Sequence, residues 1–111
     1  MDLKTAIGSL AGALVESKEG VQLYHLRKQV AADAVRRNHL EIYEQTMKTL
    51  NACNPEDNRI SSLIQKLQDH MLVLEQIPEI NAYFNAEREF GVLFGNVMQN
   101  LHELIYKSIK R

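Results

Sequence analysis

The chain has 111 residues, so a single domain over residues 1–111 is expected. Hydrophobic residues make up 45% and charged residues 24%, a composition typical of globular chains that excludes a disordered one. The net charge of −1 provides no strong attraction to nucleic acid or to an anionic membrane, and the single cysteine, Cys53, favours a reducing, cytoplasmic location.

The first predicted helix covers residues 2–15. Its apolar residues recur in steps of three and four: Leu3, Ile7, Leu10 and Leu14. Asp2 favours the helix N-terminus and disrupts the positive region of a signal peptide, so we expect a helix here. Gly8 and Gly12 flank the stripe, and Gly91 and Gly95 repeat their spacing. Either another backbone approaches closely at these glycines, which we favour, or they are tolerated weaknesses.

Two further helices are predicted over residues 18–32 and 34–51. Ser17 is the expected N-cap of the first, and Asp33 the expected N-cap of the second. Asp33 is equally compatible with one continuous helix, because no residue near it forbids helical conformation. Both interpretations therefore remain open.

The clearest predicted loop covers residues 51–58. Within it, Asn54 and Pro55 followed by acidic residues predict the start of a fourth helix that continues to about residue 76. Pro78 ends that helix and begins the last one. The short connection predicts a tight hairpin. Since no segment shows sustained strand alternation, the predicted fold is all-α: an antiparallel bundle of about five helices whose two long C-terminal helices form a hairpin.

The last predicted helix, residues 78–110, is longer than a compact monomer can cover. It would run about 48 Å, whereas the radius of gyration of a compact domain of this size is about 13 Å. Its apolar stripe continues to the end, where Lys107, Lys110 and Arg111 complement the helix dipole. A second copy of the chain is the simplest cover, which predicts a homodimer or larger oligomer. The hypothetical interface comprises Tyr83, Phe84, Glu87, Phe90, Phe94, Val97 and Leu101.

Glu87 is unusual because it lies on this apolar stripe, among aromatic residues. A buried carboxylate needs a basic partner, and Arg27, Arg36 and Arg37 are candidates. Alternatively, the stripe bends and Glu87 remains solvated. The sequence does not choose between the two.

No catalytic, cofactor-binding or metal site is predicted. The histidines lack the Glu-x-x-His and His-x-x-x-His spacings of helical metal sites: they are His25, His39, His70 and His102. A nucleophilic cysteine needs a nearby base and a lowered pKa, and no sequence motif indicates either for Cys53; phosphate-binding glycine loops are absent. The chain is therefore not expected to be an enzyme.

A basic face provides an alternative function, RNA binding. It comprises Arg27, Lys28, Arg36 and Arg37. Acidic residues are interleaved with them, and the aromatic residues that would stack on bases belong to the expected core. A solvated face is therefore favoured, and nucleic acid is not an expected partner.

Two stretches resemble the YlbF/YmcA/YheA family of small helical bacterial proteins. The first is LAGALVES, residues 10–17, with Tyr24, Val30 and Asp33; the second is IPEINAYFNAEREF, residues 77–90, with Leu93 and Val97. The resemblance covers nearly the whole chain and rests mostly on helix-packing residues. It implies a self-associating, non-enzymatic cytoplasmic protein. Some members are regulators that act with other proteins in competence, sporulation, biofilm formation and RNA processing by ribonuclease Y.

Two departures from the family pattern refine this expectation. Ile77 stands where members often have asparagine, so the last helix lacks a side-chain cap. The C-terminus also lacks the cysteines of members that are linked to iron–sulfur clusters. The resemblance therefore points to a homo-oligomer of the YheA type, without a cofactor.

Overall fold

The computed structural model describes residues 1–110, and Arg111, predicted to complement the dipole of the last helix, lies outside the described residues. The described chain forms five α-helices and contains no strand. They are α1 (Leu3–Glu16), α2 (Lys18–Ala31), α3 (Ala34–Asn51), α4 (Ile60–Leu74) and α5 (Pro78–Ile109). The predicted all-α class with about five helices is confirmed.

The helices belong to two compact units. One unit contains Met1–Leu26 and the chain from Phe84 onward, and the other contains Arg27–Tyr83. The boundaries fall inside α2 and α5, so no irregular linker marks them. A single domain over the whole chain stays a prediction.

The unit Arg27–Tyr83 has a buried core. Its buried apolar residues come from α2, α3, α4 and the first turns of α5: Val30, Leu40, Leu67, Leu74, Ile80 and Tyr83. Helices α3 and α4 pack along each other. Thr46 is also buried, and its hydroxyl donates a hydrogen bond to the carbonyl of Ile42 at 2.9 Å, which satisfies it within α3. This packing is that of a helical bundle.

Asp33 separates α2 from α3. Its backbone is extended, with φ −112° and ψ 125°, and its carboxylate accepts a hydrogen bond from the backbone N–H of Val35 at 2.8 Å. The cap satisfies an N–H that has no partner inside the helix. The sequence left open whether Asp33 caps a separate third helix or lies inside one continuous helix. The structure shows a separate third helix capped by Asp33.

The predicted start of α4 is wrong. The helix begins at Ile60, and the Asn54–Pro55 segment forms turns instead of a first helical turn. The carboxylate of Asp57 accepts hydrogen bonds from the backbone N–H of Arg59 at 2.8 Å and from its guanidinium at 2.9 Å. These two bonds stabilise a local turn that competes with the helix.

The start of the last helix is as predicted. Pro78 is the first residue of α5, and the carbonyl of Ile77 accepts the N–H of Asn81 at 2.9 Å. Proline suits this position because its missing N–H would have no helical partner. Three residues separate α4 from α5, and the 32 residues of α5 make it the longest helix described.

Candidate interaction surface

Along α5 the apolar stripe passes from buried to exposed. Ile80 and Tyr83 are 0% and 7% exposed and belong to the core of their unit. Of the predicted interface residues after Tyr83, three are half-buried, namely Phe84, Phe90 and Val97, and three are exposed, namely Glu87, Phe94 and Leu101. The available part of the predicted interface therefore begins after Tyr83.

The exposed surface also extends beyond the predicted interface. Every residue from Leu101 to Lys110 is exposed. Four large apolar residues of this segment were not among the predicted interface residues: Leu104, Ile105, Tyr106 and Ile109. The spacing of Leu104 and Ile105 continues the stripe, so periodicity alone could have added them. Tyr106 lies on another side, where its ring contacts that of His102 in a tilted arrangement, with 4.7 Å between the ring centroids.

Helix α1 belongs to the same unit as this part of α5 and is also poorly covered. It contains no buried residue, although its composition is apolar. Leu3 and Ile7 of its stripe are 77% and 60% exposed. The unit therefore presents apolar side chains on both of these helices.

The four spaced glycines do not mediate close packing within the chain. A Cβ atom built on Gly8, Gly12, Gly91 or Gly95 meets no atom within 4 Å. The favoured interpretation, close approach of another backbone, is thus not realised within the described residues. A Cβ on Gly20 is different, because it would lie 2.4 Å from the carbonyl oxygen of Leu14.

Glu87 is exposed, which decides against the buried carboxylate. The three arginines named as candidate partners make contacts within the unit Arg27–Tyr83. The Arg27 guanidinium donates two hydrogen bonds to the carboxylate of Glu44, at 2.9 and 3.0 Å, and a third to the hydroxyl of Tyr83 at 3.2 Å. The hydrogen bonds to Glu44 raise the pKa of Arg27 above its ordinary value. Arg27 thus cross-links α2, α3 and the start of α5.

The other arginines of the basic face also make contacts within the chain. Arg36 donates to the carbonyl of Gln29 at 2.8 Å and lies 3.5 Å from the carboxylate of Glu79. Arg37 donates to the carbonyl of Ala31 at 2.8 Å. These bonds orient the three guanidinium groups toward neighbouring helices and their carbonyl ends. The arrangement gives no support to a surface that tracks a phosphate backbone.

A histidine pair lies between α3 and α4. The rings of His39 and His70 have centroids 5.7 Å apart, and the ring of Tyr43 lies 6.1 Å from that of His70. Burial lowers the pKa of His70, and the nearby His39 and Lys66 lower it further. Among residues 1–110, no group of three or more histidine, cysteine or acidic side chains is placed to hold a metal ion.

Cys53 is half-buried in the loop after α3. Its thiol donates to the carbonyl of Thr49 at 3.3 Å, and the guanidinium of Arg59 lies 3.8 Å from its sulfur. Hydrogen bonds from Arg59 lower the pKa of the neighbouring Asp57 to about 2. These contacts order the loop. No helix in the described part of the chain has the length and apolarity that crossing a membrane requires.

The fold and this surface define a small all-α protein with an exposed apolar side on its longest helix, α5. The family model described as "Control of competence regulator ComK, YlbF/YmcA" matches residues 4–106, and the chain belongs to this family. The family confirms the resemblance seen in the sequence, and it is linked to the control of a bacterial competence regulator. No curated protein and no solved structure matches the chain.

Proposed function

We propose that this protein is a non-enzymatic regulatory protein of the bacterial cytoplasm that self-assembles and acts through contacts with other proteins. The observation that carries the proposal is the exposed apolar surface of α5 after Tyr83. Soluble monomers rarely leave a contiguous apolar face uncovered, and such faces usually mark interaction sites. The regulatory link of the family supports the same role.

Self-association is tested by light scattering after gel filtration at micromolar concentration. We expect the wild-type chain to elute as a dimer or larger oligomer. Phe94→Asp and Leu104→Asp place a charge on residues that are 46% and 62% exposed, so the fold of one chain should tolerate them while the assembly should not. Both variants should retain the far-UV circular dichroism of the wild type and elute at a smaller size.

Gln99→Asp is the matched control. Gln99 is exposed on the same helix, about half-way between the two test positions but outside the apolar stripe. This variant should keep the oligomeric size of the wild type. A wild-type monomer at these concentrations would contradict self-assembly, and an unchanged size of both test variants would show that the interface lies elsewhere.

A further inference from the structure

Between Phe94 and Leu104, the apolar residues of α5 follow a seven-residue pattern. Phe94 and Leu101 are seven residues apart, and Val97 and Leu104 each follow one of them by three. Two helices that pack along each other use this alternation of three and four, because it keeps one side of each helix on the partner. Phe94, Leu101 and Leu104 remain 46%, 41% and 62% exposed in the single chain.

The uncovered area is near that of a stable contact between two copies. The exposed apolar residues on this side of α5 are Phe94, Leu101, Leu104, Ile105 and Ile109, with exposures of 46, 41, 62, 48 and 76%. At about 200 Å² for a large side chain, they expose roughly 500 Å² per copy, and two copies together approach the roughly 1,000 Å² of a specific interface. The same surface of a second copy is therefore large enough to cover these exposed residues.

The charges beside the stripe favour one orientation. Glu89 and Lys107 are both exposed, and their separation of eighteen residues, five helical turns, places them on the same flank of α5. In an antiparallel pair equal flanks meet, so Glu89 of each copy lies beside Lys107 of the other. A parallel pair would turn Lys107 toward the opposite flank, which carries the apolar Ile105 and Ile109. Antiparallel helices also have opposed dipoles, which attract.

We infer that two copies of this chain pair through antiparallel α5 helices, with Phe94 opposite Leu104 of the second copy and Val97 opposite its Leu101. The inference rests on the proposed self-assembly and specifies its geometry. In this register the pair is centred near residue 99, and both Glu89–Lys107 contacts form, one at each end. Helix α1 lies in the same unit, and its exposed stripe is available to widen the contact.

Disulfide cross-linking of the full chain tests the orientation. In a Cys53→Ser background, Phe94→Cys and Leu104→Cys chains are refolded separately and as a mixture, then oxidised. Two copies of residue 94 would lie ten residues apart along the pair, about 15 Å, whereas a disulfide requires Cα atoms within about 7 Å. We expect the mixture to form covalent dimers about tenfold faster than either chain alone. Gln99→Cys, on the outer side of α5, should not cross-link.

A charge exchange tests the register without altering the apolar side chains. Glu89→Lys and Lys107→Glu each create like-charge contacts in the homodimer, and a mixture of the two variants restores both pairs. We expect each variant to weaken self-association by about three- to tenfold and the mixture to recover it, as exposed ion pairs are modest. Recovery should disappear at high salt, because exposed charges are screened.

The outcomes separate this geometry from the proposed function. Cross-linking of Phe94→Cys alone would overturn the antiparallel arrangement and leave self-assembly standing. Absence of any cross-link in a chain that remains dimeric would also overturn it, as would charge variants that associate like the wild type. A wild-type chain that is monomeric by light scattering would overturn both the geometry and the self-assembly.

Discussion

Gly20 allows α1 and α2 to meet at a single residue. Helix α1 ends at Glu16 and α2 begins at Lys18. The hydroxyl of Ser17, between them, donates to the carbonyl of Leu14 at 2.6 Å and accepts the N–H of Gly20 at 3.0 Å. Gly20 is itself buried. The junction therefore has no room for a side chain at position 20.

We expect Gly20→Ala to destabilise the protein. The added Cβ would lie 2.4 Å from the carbonyl oxygen of Leu14 and 2.6 Å from that of Val15. Both are backbone atoms, so no rotamer change relieves the clash and the two helices must shift. Overpacking costs about 1–3 kcal/mol, and the better helix propensity of alanine offsets up to about 1 kcal/mol. The expected net loss is about 1–2 kcal/mol, or about 4–8 °C in Tm.

Urea unfolding followed by far-UV circular dichroism measures this loss. Gly8→Ala and Gly12→Ala are matched controls, because a Cβ at either position meets no atom within 4 Å. At these positions only the helix propensity changes, and the free energy of unfolding should rise by up to about 1 kcal/mol each. If Gly20→Ala were as stable as the two controls, the close approach at the α1–α2 junction would be refuted.

Three further predictions concern charge. The pKa of His70 is lowered from 6.5 in the folded state, so the unfolded chain binds more protons near this pH. The free energy of unfolding should therefore fall as the pH drops below 6.5. In urea titrations between about pH 7 and 5, His70→Gln should show a smaller fall than the wild type. A double-mutant cycle of Arg27→Met and Glu44→Gln should give a coupling of about 1 kcal/mol or less, because the two side chains are 42% and 41% exposed and water screens them. Titration with single-stranded RNA at about 50 and 200 mM salt should show no salt-dependent binding, whereas tighter binding at low salt would revive the basic face as a functional surface.

Helix boundaries set by local chemistry could be predicted from the sequence. Pro78 begins α5 and Asp33 caps α3, and in both cases the residue acts through its own backbone or side chain. The start of α4 could not be predicted in this way. Asn54 and Pro55 provide a valid start signal, but Asp57 binds the backbone and guanidinium of Arg59 two residues later and stabilises a turn instead. The helix-start signal of Asn54–Pro55 and the turn formed by Asp57 and Arg59 compete, and sequence propensities alone do not tell which of the two is more stable.

The sequence predicted which residues of α5 form the apolar stripe, but not which of them the chain itself buries. Periodicity identifies the side of α5 that avoids water, but it does not specify whether the same chain or another covers each residue. Ile80 and Tyr83 are buried by their own unit, while Phe94 and Leu101 on the same stripe are not. The contacts of Arg27 could not be predicted from the sequence either, because Glu44 and Tyr83 are 17 and 56 residues away along the chain. Only tertiary packing determines such partners.

The division of the α5 stripe separates residues that stabilise the folded chain from residues that remain available for the proposed self-assembly. Burial of a large apolar side chain stabilises by about 1.5–3 kcal/mol, and the first turns of the helix realise this gain within the folded chain. From Leu101 onward every described residue is exposed, so Leu104, Ile105 and Ile109 contribute little to the stability of the monomer. A polar substitution there should therefore leave folding nearly unchanged and act mainly on association. If the chain self-assembles as proposed, folding and assembly depend on different residues of one helix: Tyr83 stabilises the fold, and Leu104 contributes to the contact between copies.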